Sequence, residues 1–202
     1  MKSKVLTCLC LVSSILVNAQ MAQEEHTKKQ KAIIAKAKLG ISQIELGNEK
    51  LINGSITQLE VLYSWQASSR FSIEYGIGFS QFNGNDIAQG EYVYFKNNNL
   101  RLPINVLYSH DFNKDVALVF GLGTYGIYYA NTKMTGYYEG KGAGVNVGAS
   151  SLMGANFQVS EKLGFRLMAE VQRDLTKIEK ANEVNFRERM NALLSLSFVF
   201  KL

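Results

Sequence analysis

The sequence has no cysteine after position 10 and only two histidines. Once an N-terminal segment containing Cys8 and Cys10 is removed, the chain has no disulfide, reactive thiol or cysteine-based metal site. His26 and His110 are too far apart in sequence to suggest a metal site. Ser109 and His110 are adjacent, so a strand points their side chains to opposite faces, which disfavours a Ser–His catalytic pair. We therefore expect a protein that is not an enzyme, with no catalytic residue, metal or cofactor.

The sequence also has no apolar run of the roughly 20 residues that a membrane-spanning helix needs. Its main run, Val5–Val17, is about thirteen residues long, follows two lysines and leads into Val-Asn-Ala, which ends at Ala19. Small residues at these positions are typical of a cleaved secretory signal peptide, whereas an N-terminal anchor is the alternative. We predict a signal peptide at 1–19, a polar periplasmic tail at 20–34 and a single domain at 35–202.

A strong charge imbalance is missing as well. Without the two lysines of the leader, 20 basic residues face 17 acidic ones, a net charge of about +3. The excess comes from lysines crowded between positions 28 and 38, and the remainder is close to neutral. The basic pI of about 9.1 therefore does not indicate a nucleic-acid partner.

What the sequence does have is a two-residue period. In FSIEYGIGFS, residues 71–80, every odd position is apolar and every even position is small or polar, as in a β-strand with one apolar face. No segment after the leader shows a sustained helical period. We predict eight strands, at Lys36–Leu46, Ile56–Gln66, Arg70–Phe82, Tyr92–Asp111, Asp115–Ala130, Ala143–Val159, Lys162–Asp174 and Phe186–Leu202.

The connections between these segments alternate in length. Short links at 67–69, 112–114 and 160–161 separate long polar ones at 47–55, 83–91, 131–142 and 175–185. Outer-membrane barrels have short periplasmic turns, long external loops and an even number of strands. The sequence therefore predicts an all-β fold, an eight-stranded antiparallel up-and-down transmembrane barrel with both termini in the periplasm.

In each strand the alternating apolar residues form an apolar column and the residues between them a polar column. The polar column indicates which face meets lipid, because it contains little of the charge that a soluble surface needs. A narrow eight-stranded interior is instead filled by small side chains and a few compensating charges. We expect Glu74 to pair with Arg101 or Arg166 across this interior. The alternative is a periplasmic lipocalin-like carrier of a small apolar ligand. The predicted interior charge network consists of Glu60, Glu74, Arg101, Arg166 and Glu170.

Aromatic residues lie toward the ends of the apolar columns, as at a membrane–water interface. The chain also stops on a strand, Phe198–Leu202, with apolar residues at alternating positions, which is typical of outer-membrane barrels. The expected periplasmic girdle contains Tyr63, Trp65, Phe71 and Tyr108, and the expected outer girdle contains Phe79, Phe82, Tyr128 and Tyr129.

The stretch NNLRLPINVLYSHDFNKDVALVFGLGTYGIYY, residues 98–129, resembles the PorT-like outer-membrane β-barrel domain family. The similarity lies in the Leu-Arg-Leu-Pro-Ile run, the aromatic strand end, the short polar turn and the Gly-x-Gly strand. It implies a small barrel in the outer membrane of a Gram-negative bacterium. Because members differ in function, the resemblance implies no site residues.

Three other motifs receive structural interpretations. Gly121–Gly126 matches G-x-G-x-x-G, but a strand pattern continues through it, whereas a dinucleotide loop must open a helix. Asn83–Asp86 lacks the spacing of a calcium loop and is predicted to be an external turn. Arg187-Glu188-Arg189 either binds lipopolysaccharide phosphates at the rim or, as we favour, is a set of solvated strand-end charges.

These patterns predict a barrel with a side-chain-filled interior and a structural, binding or accessory role exerted through its extracellular loops. A lipid-modifying enzyme of the outer membrane is a weaker alternative. The expected partners are outer-membrane lipid or lipopolysaccharide and the barrel assembly machinery. The sequence identifies neither a ligand nor a protein partner.

Overall fold

The computed structural model describes residues 30–46, 50–88, 91–134, 138–177 and 186–202 of the 202-residue chain. Within these ranges no helix is long and apolar enough to cross a membrane. The predicted signal peptide and most of the predicted tail lie outside the described residues. The eight strands are β1 Lys31–Leu46, β2 Lys50–Gln66, β3 Phe71–Ala88, β4 Glu91–Asp111, β5 Val116–Met134, β6 Tyr138–Gln158, β7 Leu163–Asp174 and β8 Phe186–Lys201.

Each strand pairs antiparallel with its neighbours in sequence, and β1 closes the sheet by pairing with β8. The closing register runs from Ala32 opposite Lys201 to Leu46 opposite Phe186. The chain is therefore a closed up-and-down barrel of eight strands, as the alternating pattern predicted. Such closure leaves no unpaired sheet edge.

The two faces of the wall are inverted relative to a soluble protein. The apolar column of β3 faces outward, and Ile77 is 57% exposed, whereas Glu74 on the opposite face is 1% exposed. The other strands repeat this arrangement, with Leu102 and Leu122 outside and Arg101 inside. An apolar outer wall around a polar interior is the arrangement of a membrane barrel.

The strands are longer than predicted at one end of the barrel. The "turn end" carries the connections 67–70, 112–115 and 159–162, together with Gln30 and Leu202, and the "loop end" is the opposite one. Most of the polar segments predicted as long loops at 47–55, 83–91 and 131–142 are strand, and their tips lie outside the described residues. These segments continue the backbone ladder above the apolar band.

The first strand also begins earlier than predicted, because residues 31–34, assigned from sequence to the polar tail, pair with β2 and β8. The outer aromatic girdle needs a correction too. Phe79 and Tyr128 face outward, but Phe82 and Tyr129 are completely buried inside the barrel. Strict alternation along β3 and β5 explains why Phe82 and Tyr129 face inward, since each directly follows a residue that faces outward.

Aromatic side chains surround the barrel near its turn end. Phe71 lies 5.3 Å from Tyr108 across β3 and β4, measured between ring centroids. Phe157 and Phe165 stack at 4.7 Å across β6 and β7. Pairs of this kind are favourable packing contacts and give an interfacial girdle at this end of the apolar band.

Candidate functional site

The barrel interior holds the densest set of polar side chains in the described residues. Four basic and five acidic side chains point inward and are at most 7% exposed. Burying so many charges is unfavourable unless each finds a partner, so their pairing decides whether the interior is stable. They are Lys36, Lys38, Arg101, Arg166, Glu60, Glu74, Glu170, Asp174 and Glu188.

The half of the interior nearer the turn end contains a lysine–glutamate cluster. Lys38 Nζ lies 2.8 Å from a carboxylate oxygen of Glu60 and 2.8 Å from one of Glu170. Lys36 forms a further ion pair with Glu170. Two ammonium groups and two carboxylates thus compensate each other in a region closed to solvent.

Beside this cluster, Arg166 donates a hydrogen bond of 2.7 Å to a carboxylate oxygen of Glu74. The two residues come from strands on different sides of the barrel, β7 and β3, so their pair bridges the interior. Arg166 also lines an open polar mouth of about 320 Å³ at the turn end. Arg166, which is held by Glu74, therefore forms part of the wall of this opening.

A second cluster is centred on Arg101, a completely buried residue of β4. Its guanidinium donates to a carboxylate oxygen of Glu188 at 3.0 Å and to the side-chain oxygen of Gln172 at 3.1 Å. The carbon at the centre of the guanidinium lies 4.0 Å from the ring centroid of Tyr125. Arg101 thus has a charge partner, a neutral acceptor and a cation–π contact.

Asp174 completes this cluster, and its carboxylate forms hydrogen bonds but no ion pair with the other described residues. Its carboxylate accepts hydrogen bonds from the hydroxyls of Tyr125 at 2.9 Å and Tyr129 at 2.7 Å. It also accepts from the Asn146 side chain at 2.8 Å and from the backbone N–H of Glu188 at 3.0 Å. Four donors can replace the hydration that this carboxylate loses.

Gln172 connects the two clusters, because its side-chain N–H groups and oxygen reach both. It donates to Glu170 at 3.3 Å and accepts from Arg101 at 3.1 Å and from Gln58 at 3.1 Å. A continuous polar network therefore runs along the interior from the lysine–glutamate cluster to Asp174.

Apolar side chains cover this network toward the loop end. Phe82 and Phe95 meet edge to face with ring centroids 5.9 Å apart, and both are essentially unexposed. The apolar layer consists of Ile44, Ile52, Phe82, Phe95, Tyr125, Ile127 and Tyr129. The charged network is thereby shielded from solvent above the membrane band.

All five residues of the network predicted from sequence lie in the interior. Glu60 and Glu170 meet through Lys38, Glu74 meets Arg166, and Arg101 belongs to the separate cluster. Sequence reasoning missed Lys36 and Lys38, which it assigned to a basic N-terminal region. Their alternation with Ala35, Ala37 and Leu39 is the signal that could have placed them inside.

Glu188 could not have been found from alternation. The register between β1 and β8 shifts because Gln43 pairs with Met190 while Ile44 pairs with Glu188. Arg189 is the extra residue of a β-bulge, and the bulge turns Glu188 into the interior. Glu188 is therefore not one of the solvated strand-end charges that the sequence predicted, although Arg189 is exposed.

The remaining motifs form no reactive centre in the described part of the chain. Residues 116–134 are one continuous strand, so the glycine-rich run at 121–126 does not open a helix. His110 is exposed and Ser109 half-buried, and neither side chain has a hydrogen bond in the described structure. Asn83 accepts a hydrogen bond from the Tyr94 hydroxyl at 3.0 Å. No described group of acidic, histidine or cysteine side chains is arranged to hold a metal.

Comparison with known proteins gives a family and a fold. Residues 8–200 match the model of the outer membrane protein beta-barrel domain. No curated protein sequence matches the chain. Among solved structures, Neisserial surface protein A (NspA) is 13% identical and matches with a TM-score of 0.56, covering 85% of this chain and 99% of its own.

Two further barrels extend this comparison. The outer membrane protein OprG from Pseudomonas aeruginosa is 13% identical, with a TM-score of 0.50 over 86% of this chain and 97% of its own. The outer membrane protease OmpT from Escherichia coli is 8% identical, with a TM-score of 0.46 over 89% of this chain and 99% of its own. NspA and OprG share the fold of this chain, and at such low identities no solved structure carries an activity over to it.

Proposed function

The chain belongs to the outer membrane protein beta-barrel domain family and lies in the cell outer membrane, and from this premise we propose that it is a closed, non-conducting barrel with a binding or structural role. One observation carries the proposal. The interior is occupied by a continuous network of paired charges under an apolar layer, in a barrel of only eight strands. An eight-stranded barrel is just wide enough for side chains to fill it.

The role is assigned to the loop end, which we orient toward the outside of the cell. Outer-membrane barrels have their short turns in the periplasm, and Gln30 and Leu202 lie at the turn end. At the opposite end, β3 to β6 continue above the apolar band as paired strands. Cross-strand bonds such as Gln81 to Asn98 at 2.9 Å and Tyr94 to Asn83 at 3.0 Å hold the polar outer face of this extension.

A rigid polar wall of this kind suits recognition by surface contact better than transport. A lipocalin-like carrier would need an apolar cavity, whereas the described interior is polar and filled. The non-enzymatic role is part of the same proposal, supported by the opposite orientations of the adjacent Ser109 and His110 on β4. Membership of the PorT-like group is likewise proposed on the hairpin formed by residues 98–129.

Conductance in planar bilayers tests the closed interior. We expect the purified, refolded protein to insert without large, stable single-channel openings. The double variant Lys38→Ala with Glu170→Ala, which empties part of the interior, serves as the comparison and is expected to raise conductance. Large, stable openings of the unmodified protein would contradict the proposal.

The binding role needs a separate measurement at the cell surface. Substituting Asn98 and Asn131, which face each other across β4 and β5, with alanine should reduce adhesion to host or abiotic surfaces without changing the amount of folded barrel. Substituting Lys114 and Lys162 in the turn-end connections is the matched control. Equal adhesion by all variants would contradict the proposal that the polar wall at the loop end is the binding surface.

A further inference from the structure

Two exposed arginines lie on neighbouring strands of the outer wall near the loop end. Gln172 and Asn191 form the last pair between β7 and β8, so Arg173 lies one residue beyond this pair on β7 and Arg189 lies two residues beyond it on β8. Both arginines are exposed. Adjacent strands are about 4.8 Å apart, which brings the two guanidinium groups within reach of one small ligand.

Arg173 points outward by the ordinary alternation of β7, whereas Arg189 points outward because of the β-bulge. Glu188 and Asn191 both face the interior, so the two residues between them, Arg189 and Met190, are both left on the outer wall. Without the extra residue, alternation would place Arg189 inside and Glu188 outside. The bulge therefore buries an acid and exposes a cation at one position of the wall.

Exposed apolar side chains lie beside the arginine pair on β6, β7 and β8, and the Arg187–Glu45 ion pair lies on the β1 side. Val171 precedes Arg173 on β7 and Leu175 follows just beyond the end of this strand, Val147 lies on β6, and Leu194 is exposed farther down β8. Neither Arg173 nor Arg189 is hydrogen-bonded or ion-paired to another side chain in the described structure. Charge on the lipid-facing wall of a barrel is unfavourable away from the interface, so a partner from the membrane side would stabilise it.

The height of the pair matches the outer headgroup level. Arg173 is eight residues along β7 from Phe165, a member of the turn-end girdle. At about 3.3 Å per residue and a tilt of about 40°, this separation is roughly 20 Å along the membrane normal. The apolar band of such barrels is about 25 Å tall, so long arginine side chains reach its far boundary.

We propose that Arg173 and Arg189 bind a phosphate of a phosphorylated glycolipid headgroup in the outer leaflet. Guanidinium groups match the geometry of phosphate oxygens, and two of them can hold one phosphate from adjacent strands. The exposed Val147, Val171 and Leu194 then pack against the acyl chains of the same lipid. The site rests on the orientation proposed above but not on the closed interior. A negative result in the lipid-retention experiment would therefore contradict the arginine site and leave the closed interior untouched, and large conductance would do the reverse.

Lipid retention by the refolded full-length barrel tests this site. The protein is assembled into phosphatidylcholine discs that contain bis-phosphorylated lipid A, released into mild detergent, and weighed intact to count retained lipid A. We expect R173Q/R189Q to retain roughly thirtyfold less lipid A than the unmodified protein, since each of the two basic residues contributes about 1 kcal/mol near an anionic membrane surface. R173K/R189K, which keeps the charge but loses the planar fork, should fall between them.

The control removes the same charge at the other leaflet. K114Q/K162Q changes two exposed lysines in the turn-end connections and should retain lipid A as well as the unmodified protein. Heat-modifiable migration shows that every variant is folded before it is weighed. Three results would each overturn the proposal: undiminished retention by R173Q/R189Q, an equal loss in K114Q/K162Q, or equal retention of phosphatidylglycerol from matched discs.

Discussion

The pair formed by Arg101 and Glu188 offers the sharpest test of how the interior is stabilised. We consider Arg101→Met, Glu188→Met and the double variant, because methionine fills similar volume without charge. Arg101 is 1% exposed and Glu188 is unexposed, with 3.0 Å between their bonded atoms. At an effective dielectric constant of 20, the attraction over this distance is roughly 5 to 6 kcal/mol before desolvation is subtracted.

The expected free-energy changes follow from which charge is left alone. Arg101→Met leaves Glu188 buried beside Asp174, with no cation between them, and should lower the free energy of unfolding by about 3 to 5 kcal/mol. Glu188→Met should cost less, about 2 to 4 kcal/mol, because Arg101 keeps its Gln172 acceptor and its Tyr125 ring. The double variant should lie within about 2 kcal/mol of the unmodified protein, a coupling of about 3 kcal/mol or more.

Urea unfolding from lipid vesicles, followed by gel mobility and by fluorescence of the single tryptophan, Trp65, measures these values. Lys114→Gln, in an exposed turn, is the control and should change stability by no more than about 0.5 kcal/mol. If Arg101→Met costs less than about 1 kcal/mol, or if the two single changes simply add, the ion pair does not stabilise the interior as argued.

Three further predictions concern other parts of the barrel. Gly148→Ala should lower stability by about 1 to 3 kcal/mol, because its added Cβ would lie 2.1 Å from a ring carbon of Tyr125. The control Gly126→Ala, where an added Cβ meets nothing within 4 Å, should be close to neutral in the same urea titration. Leu102→Arg, on the lipid-facing wall, should make folding into vesicles less favourable by about 2 to 4 kcal/mol. A neutral effect would show that this wall does not face lipid. Lys38→Met should destabilise the barrel by about 3 kcal/mol, because Glu60 and Glu170 lose the cation that they share. Gel mobility after mild heating measures this loss, and a barrel as heat-stable as the unmodified protein would contradict it.

Much of the wall could be read from local patterns. Each residue of a strand points opposite to its neighbours, so alternation in residues 71–79 separated two faces, and the scarcity of charge on the polar face then identified the apolar one as the outside. The polar column identified interior residues such as Glu74 and Arg166 in the same way. Strand ends were predicted less well, because polar residues such as Asn53 and Asn83 continue the ladder where composition alone suggests a loop.

The amino-acid sequence by itself determined the class of the fold, its two faces and its position in a membrane, because these depend on a two-residue period and on the scarcity of charge. The tertiary structure alone decided the partners inside the barrel. Glu74 meets Arg166 rather than Arg101 because strands far apart in sequence face each other across the interior. Glu188 faces inward, and Arg189 outward, because one extra residue in β8 reverses the alternation. Such a bulge depends on the register with β1, about 145 residues away in the chain, which no local pattern contains.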